Sequence, residues 1–249
     1  MFVNYFKLIV ILLYLQSNIL KMINLLSNLK IAVPDKIYIK DPESSDLGKR
    51  IIEHSILLID EIGFDSFTFK KLGVKIGSNE SSIYRYFESK HKLLLYLTSW
   101  YWAWIEYQLV FATFNMPDKN QQLNKAIEVV TKTIKEDVAF THINEVALNR
   151  IIINEYSKSY LTKEVDSENK EGYFVVYKRL IQRLSDMISN INSEYKFSSS
   201  LASTIVEGAL HQHFLKAHFS SITDCDQDVT PTKFFLNLTQ QVLKITTNG

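Results

Sequence analysis

The sequence predicts an all-α protein: a small N-terminal three-helix unit, then a larger helical body. Two observations carry this. Only 7 glycines and 4 prolines occur in 249 residues, too few for a loop-rich β protein. Apolar residues recur at spacings of three and four along most of the chain, and no stretch alternates convincingly as a strand. A third observation concerns what the small unit does. Residues 68–87, TFKKLGVKIGSNESSIYRYF, read as a short helix, a glycine turn and a second short helix. The second helix carries hydroxyls, two tyrosines and an arginine but few apolar residues. That is the pattern of a helix-turn-helix whose second helix lies in the major groove of DNA.

The elements follow in order. Residues 1–45 form an extension and linker. Within them 8–15, LIVILLYL, is a short apolar run after Lys7. It is shorter than the roughly 20 apolar residues of a membrane helix. Gln16, Ser17 and Asn18 end it, and no small-x-small cleavage site follows clearly. Three readings stand: an extra packed or interfacial helix, a weak membrane anchor, or initiation at Met22 with residues 1–21 untranslated, the last preferred. Pro34, Pro42 and Gly48 mark 31–48 as a linker or arm.

The first helix spans about 46–61, with Ile52, Ile56 and Ile59 beside Ile51, Ser55, Leu58 and Ile62 at helical spacing. Gly63 ends it. Thr68 caps a second helix through Ile76, Gly77 makes the turn, and Asn79 caps a third through about Phe87. Leu72, Ile76, Ile83 and Phe87 read as core of this three-helix unit. Ser89 caps a fourth helix starting at Lys90, which is unusually aromatic. Leu93, Tyr96, Trp100, Trp104, Tyr107, Phe111 and Phe114 share one stripe, and Trp102 with Leu95 and Leu109 lies on another face. A helix apolar on more than one face is buried on more than one side. Pro117 and Asp118 end it. Further helices are expected at about 120–139 (with Ile127, Val130, Ile134 and Val138), 143–158, 170–191, 198–220 and 231–246 (with Phe235, Leu238, Val242 and Ile245). The polar stretch 162–170 reads as a loop.

The formal net charge is only +1. Between Phe64 and Lys92, however, Lys70, Lys71, Lys75, Arg85, Lys90 and Lys92 outnumber Asp65, Glu80 and Glu88. The helix-turn-helix segment is therefore the basic part of the chain, as DNA contact requires. A single cysteine, Cys225, excludes an internal disulfide framework and a cysteine-cluster metal site.

Residues from about Lys49 to Leu94 resemble the DNA-binding domain of the TetR family of bacterial transcriptional regulators. The resemblance rests on Gly63-Phe64, Thr68 with Leu72, Gly77 in the turn, Ile83-Tyr84-Arg85-Tyr86-Phe87, Lys90 and Leu93-Leu94. It covers about a fifth of the chain. It implies an all-helical homodimer that binds operator DNA and releases it when a small molecule enters the C-terminal domain. It divides the chain into a DNA-binding domain at 46–106 and a regulatory and dimerisation domain at 107–249. Thr68, Ser81, Ser82, Tyr84, Tyr86 and Lys90 become candidate backbone contacts, and Asn79, Glu80, Ser81 and Arg85 candidate base readers. Three positions depart from the family pattern. Ser78 replaces a small apolar residue, Glu80 stands where a basic residue or proline is frequent, and Gly73 replaces alanine, at a helix-propensity cost of up to about 1 kcal/mol.

In the body, the aromatic helix offers Trp104, Tyr107 and Phe111 as a candidate pocket for an apolar or aromatic ligand. His211, His213 and His218 lack metal-ligand spacing, and no metal or cofactor is expected. Helices 198–220 and 231–246 resemble the family's dimerisation pair. Gly208 and Ala209 allow close approach, and Leu201, Ile205, Leu215 and Phe219 supply an apolar seam for a four-helix bundle with a second copy. No nucleophile–base set or phosphate-binding glycine loop occurs, so the reading is a cytoplasmic, ligand-responsive regulator, most simply a repressor on a palindromic operator, rather than an enzyme. The alternative is a TetR-fold interaction or membrane-tethered protein without specific operator binding.

Overall fold

A computed structural model describes residues 31–134 and 142–244. Among them every regular element is helical. The 8–15 run, Met22, Val138 and Ile245 lie outside the described residues.

The first three helices are α1 (Asp46–Ser66), α2 (Phe69–Lys75) and α3 (Glu80–Tyr84). Their starts are written in side-chain oxygens. Ser45 accepts from the Gly48 N–H, Thr68 from Lys71 and Asn79 from Ser82. Each bond satisfies a backbone donor that a helix N-terminus leaves without a partner. At Gly63 the backbone takes φ 75° and ψ 156°, which breaks α1 one turn before its end. The turn between α2 and α3 needs Gly77 at φ 62°, a conformation most side chains resist. Ile52, Ile56, Phe67, Leu72, Ile83 and Phe87 are buried beneath the three helices, as their spacing anticipates.

α4 (Lys90–Thr113) begins at Ser89, whose hydroxyl accepts from the Lys92 N–H, and runs without interruption past positions 106 and 107. It joins the two halves as one rod. Every residue from Leu93 to Glu106 is buried, because neighbours cover it on several sides. It packs against α5 (Lys119–Thr131), α6 (Glu145–Glu155) and α8 (Val175–Ile191). The aromatic stripe stays inside only through Trp104; Phe111 is 66% and Phe114 79% exposed. α9 (Ser198–His218) packs on α8, α5 and α6, while α10 (Pro231–Leu243) packs on α5 and α9.

Two expectations change. The polar stretch expected as a loop holds α7 (Val165–Lys170). Its weak helix-forming sequence is held by a tertiary contact: Glu168 is buried and meets His91 Nε2 at 2.9 Å. The helix expected to begin near 120 stops at Thr131, where the Lys132 backbone turns extended.

Candidate nucleic-acid interface and effector cavity

The candidate recognition surface comprises the exposed residues at the start of α2 and along α3. Thr68 is exposed; its Oγ1 accepts from the Lys71 N–H at 3.2 Å, which leaves the hydroxyl proton to donate outward. Asn79 Oδ1 accepts from both the backbone N–H and the hydroxyl of Ser82, at 2.8 and 2.7 Å. The Asn79 amide N–H groups are not used by this cap, while the Ser82 hydroxyl is turned back on it. Ser81 and Arg85 are exposed, and Glu80 is partly exposed beside them. Tyr84 packs edge-on to Phe69, with ring centroids 5.0 Å apart, and leaves 47% of its surface open. Asn79, Ser81, Tyr84 and Arg85 are thus open to solvent along α3, and the Tyr84–Phe69 contact sets the end of α3 beside the start of α2, which Thr68 caps.

Two candidate contacts sit elsewhere. Tyr86 is 1% exposed. Its hydroxyl meets Ser45 Oγ at 2.8 Å and Lys40 Nζ at 3.4 Å, and its carbonyl accepts from the Ile39 N–H. It fastens the arm before α1. Lys90 also turns inward. Its ammonium donates to the carbonyls of Phe64, Asp65 and Phe67 at 3.0, 3.1 and 3.3 Å, and lies over the Phe64 ring. The end of α1 is closed in the backbone by the Phe67 N–H to Phe64 carbonyl bond, and a cation is favoured among the carbonyls that a helix C-terminus leaves over.

Two of the three departures from the family pattern, Gly73 and Glu80, now have local explanations. A Cβ on Gly73 would lie 2.8 Å from the Ser78 carbonyl oxygen, while the Ser78 N–H donates to the Gly73 carbonyl at 2.8 Å. The turn is too close for alanine, whatever alanine offers the helix. Glu80 stands in the first turn of α3, where a carboxylate is favoured by the helix dipole.

In the body, the three residues expected to line a pocket are dispersed. Trp104 is 2% exposed and stacked on Trp100. Tyr107 stacks on Phe111, and Phe111 faces solvent. None lines either described cavity. The larger of these, about 440 Å³, lies between the end of α6, the 3-10 turn Tyr156–Ser159 and α9. Its volume is within the range of small-molecule sites. Ile152, Tyr156, Tyr160, Glu207, His211 and Phe214 are among its walls. The sequence held a signal for it, Glu207, His211 and Phe214 at helical spacing, but the partner wall came from a segment some fifty positions earlier.

This cavity adjoins the joint between the two halves. Glu155, directly before Tyr156, accepts the Phe64 N–H through Oε1 at 3.0 Å. Lys158 pairs with Asp65 at 2.7 Å and with Glu155 at 2.8 Å. Arg150 forks onto both carboxylate oxygens of Asp60, at 2.9 and 2.6 Å. One short segment therefore lines the cavity on one side and holds the end of α1 on the other.

The expected dimer seam is also rearranged. Leu201, Ile205 and Leu215 are buried within the protomer. Gly208 makes room for a ring of the same chain, since a Cβ there would meet Phe235 Cζ at 2.7 Å. Phe219, Ile222 and Phe234 are the exposed apolar residues of this region. His213 is committed to the Thr131 carbonyl at 2.9 Å, and burial lowers its pKa. No described helix is long and apolar enough to cross a membrane.

Residues 51–97 match the family model of bacterial regulatory proteins of the tetR family. Among solved structures, the chain resembles AibR in complex with isovaleryl coenzyme A and operator DNA. That match has a TM-score of 0.53 and 12% identity, over 78% of this chain and 97% of that one. It resembles a bacterial regulatory protein in the tetR family from Rhodococcus RHA1, with a TM-score of 0.54 and 14% identity over 81% and 97%. It also resembles the superantigen PfiT, with a TM-score of 0.55 and 16% identity over 83% and 100%. At these identities the likeness speaks to fold alone. No match was found among curated proteins.

Proposed function

Taking the helix-turn-helix unit as that of a TetR-family transcriptional regulator, we propose that the chain is a homodimeric repressor whose operator affinity is set by a small molecule in the α6–α9 cavity. The observation that carries the DNA claim is the exposure of Thr68 at the N-terminus of α2 together with Asn79, Ser81, Tyr84 and Arg85 along α3. Thr68 and Tyr84 suit phosphates, and Asn79, Glu80, Ser81 and Arg85 suit base edges. Ser82, Tyr86 and Lys90 act behind them as supports. Dimerisation through α9 and α10, using Phe219, Ile222 and Phe234, would give two recognition helices related by a two-fold axis and hence a palindromic operator.

The regulation is a population shift. A ligand can favour a second arrangement only by binding it better. The segment from Glu155 to Lys158 is placed to supply the difference, because it touches both the cavity and α1. Such a protein senses rather than turns over its ligand, and acts in the cytoplasm where the operator is. The test is a titration of the full chain with DNA from upstream of its own gene, at low and moderate salt. Saturable binding that survives competitor DNA supports the reading. A folded dimer without sequence preference overturns it, and favours instead a TetR-fold interaction protein, the reading to which the inward Ser82 and Lys90 side chains lean.

A further inference from the structure

The walls of the α6–α9 cavity do not match a purely apolar or an anionic ligand. Tyr156 and Tyr160 lie with ring centroids 4.9 Å apart, and Tyr156 and Tyr177 5.9 Å apart. Trp102 backs the cluster, 5.3 Å from Tyr156 and 5.5 Å from Tyr177. The Tyr177 hydroxyl donates to Glu207 Oε1 at 2.5 Å, which fixes that carboxylate at the cavity wall. Among the described residues no lysine or arginine lies within ion-pair distance of Glu207. Phe214 adds a third ring to the lining, and Ile152, Ile153 and Leu210 make the rest apolar.

We propose that this cavity binds an organic ammonium ion, with the charge placed between the Tyr156 and Tyr160 rings and the Glu207 carboxylate. Ring faces attract cations through their quadrupoles, and most strongly where water is excluded. The carboxylate supplies the formal counter-charge that the protein itself does not. Apolar walls favour a bulky, weakly hydrated cation over a small ion, which would lose its water shell without enough oxygen ligands to replace it. The phenol pKa values agree with a negative group facing the cavity: burial first, and then the charge of Glu207, raise that of Tyr160. Besides Glu207 and the two phenols, His211, one turn beyond Glu207, is the remaining ionisable side chain of this lining; it is exposed.

The binding claim stands apart from the DNA reading. Its regulatory consequence rests on that reading: a cation drawn against Tyr156 acts on the segment whose neighbour Glu155 holds Phe64. The probes are benzyltrimethylammonium and its neutral carbon isostere, neopentylbenzene, titrated calorimetrically into the full chain. The cation is expected to bind at least about tenfold more tightly than the isostere. Glu207→Gln keeps an acceptor for Tyr177 but removes the charge, and should abolish that preference. Tyr160→Leu, at a partly exposed ring, should weaken the cation about tenfold while sparing the fold. Equal binding of both probes, or a preference unchanged in both variants, overturns the proposal. Operator binding without cation binding overturns the ammonium site and leaves the regulator. Cation binding without operator binding does the reverse.

Discussion

Glu155 Oε1 accepts the backbone N–H of Phe64 at 3.0 Å, a bond that spans 91 positions of sequence. It joins the last turn of α6 to the broken end of α1, and Glu155 is followed at once by Tyr156 of the cavity wall. A side chain of the cavity wall and a side chain that holds the end of α1 are thus neighbours in the chain.

Glu155→Ala removes a charge-assisted acceptor from a partly buried N–H. It should lower stability by about 1–2 kcal/mol in urea unfolding. It should also leave operator binding in place while reducing the ligand's effect on it. Retention of the full ligand response would show that the signal travels by another contact.

Gly73→Ala replaces a residue of low helix propensity with the best helix former, yet it should destabilise. The new methyl would press on the backbone carbonyl of Ser78, and overpacking of this kind costs about 1–3 kcal/mol. Thermal unfolding should show a lower Tm, and DNA titration a weaker operator complex, because the same turn sets α3 against α2. A higher Tm would mean the turn relaxes freely.

Lys90→Gln and Arg85→Ala should separate support from contact. The first loses an ammonium that faces three carbonyls and should cost about 1–2 kcal/mol of stability. Its operator complex should keep the parent's salt dependence. The second should change stability by less than about 0.5 kcal/mol, but weaken operator binding and, where the arginine meets phosphate, reduce the salt slope by about 1. Equal salt slopes for parent and both variants, with affinity lost only in Lys90→Gln, would reverse the assignment.

Glu106 predicts the acid limb of stability. Its side chain is 8% exposed and holds Arg179 and Arg183 at 2.5 and 2.6 Å. Burial alone would raise its pKa, but hydrogen bonds and charge from Arg179 and Arg183 hold it below the ordinary carboxylate value. A depressed folded pKa gives stability that is full above the unfolded value and is lost as pH falls through the folded one. Parent protein should therefore lose stability below about pH 4, and Glu106→Gln should both lower the neutral-pH plateau and flatten that limb. Parallel pH profiles would assign the acid sensitivity to other carboxylates.

Local chemistry was legible in the sequence itself. The caps at Thr68, Asn79 and Ser89, the turn at Gly77, and the buried set Leu72, Ile76, Ile83 and Phe87 are decided by residues within one or two helical turns of each other. Backbone hydrogen bonding and apolar spacing act over that range. The family resemblance lay in the same compact stretch. Tertiary structure decided whatever depends on a partner far along the chain. It turned Lys90 to the carbonyls at the end of α1 and pressed Gly73 against Ser78. It made a helix of a polar stretch through Glu168 and His91. It buried Trp104, exposed Phe111, and built the cavity from Tyr156 and Tyr160 on one side and Glu207 on another. Spacing along a helix says which side chains share a face. Only the packing of helices says what that face meets, and a site made of two faces exists only once they meet.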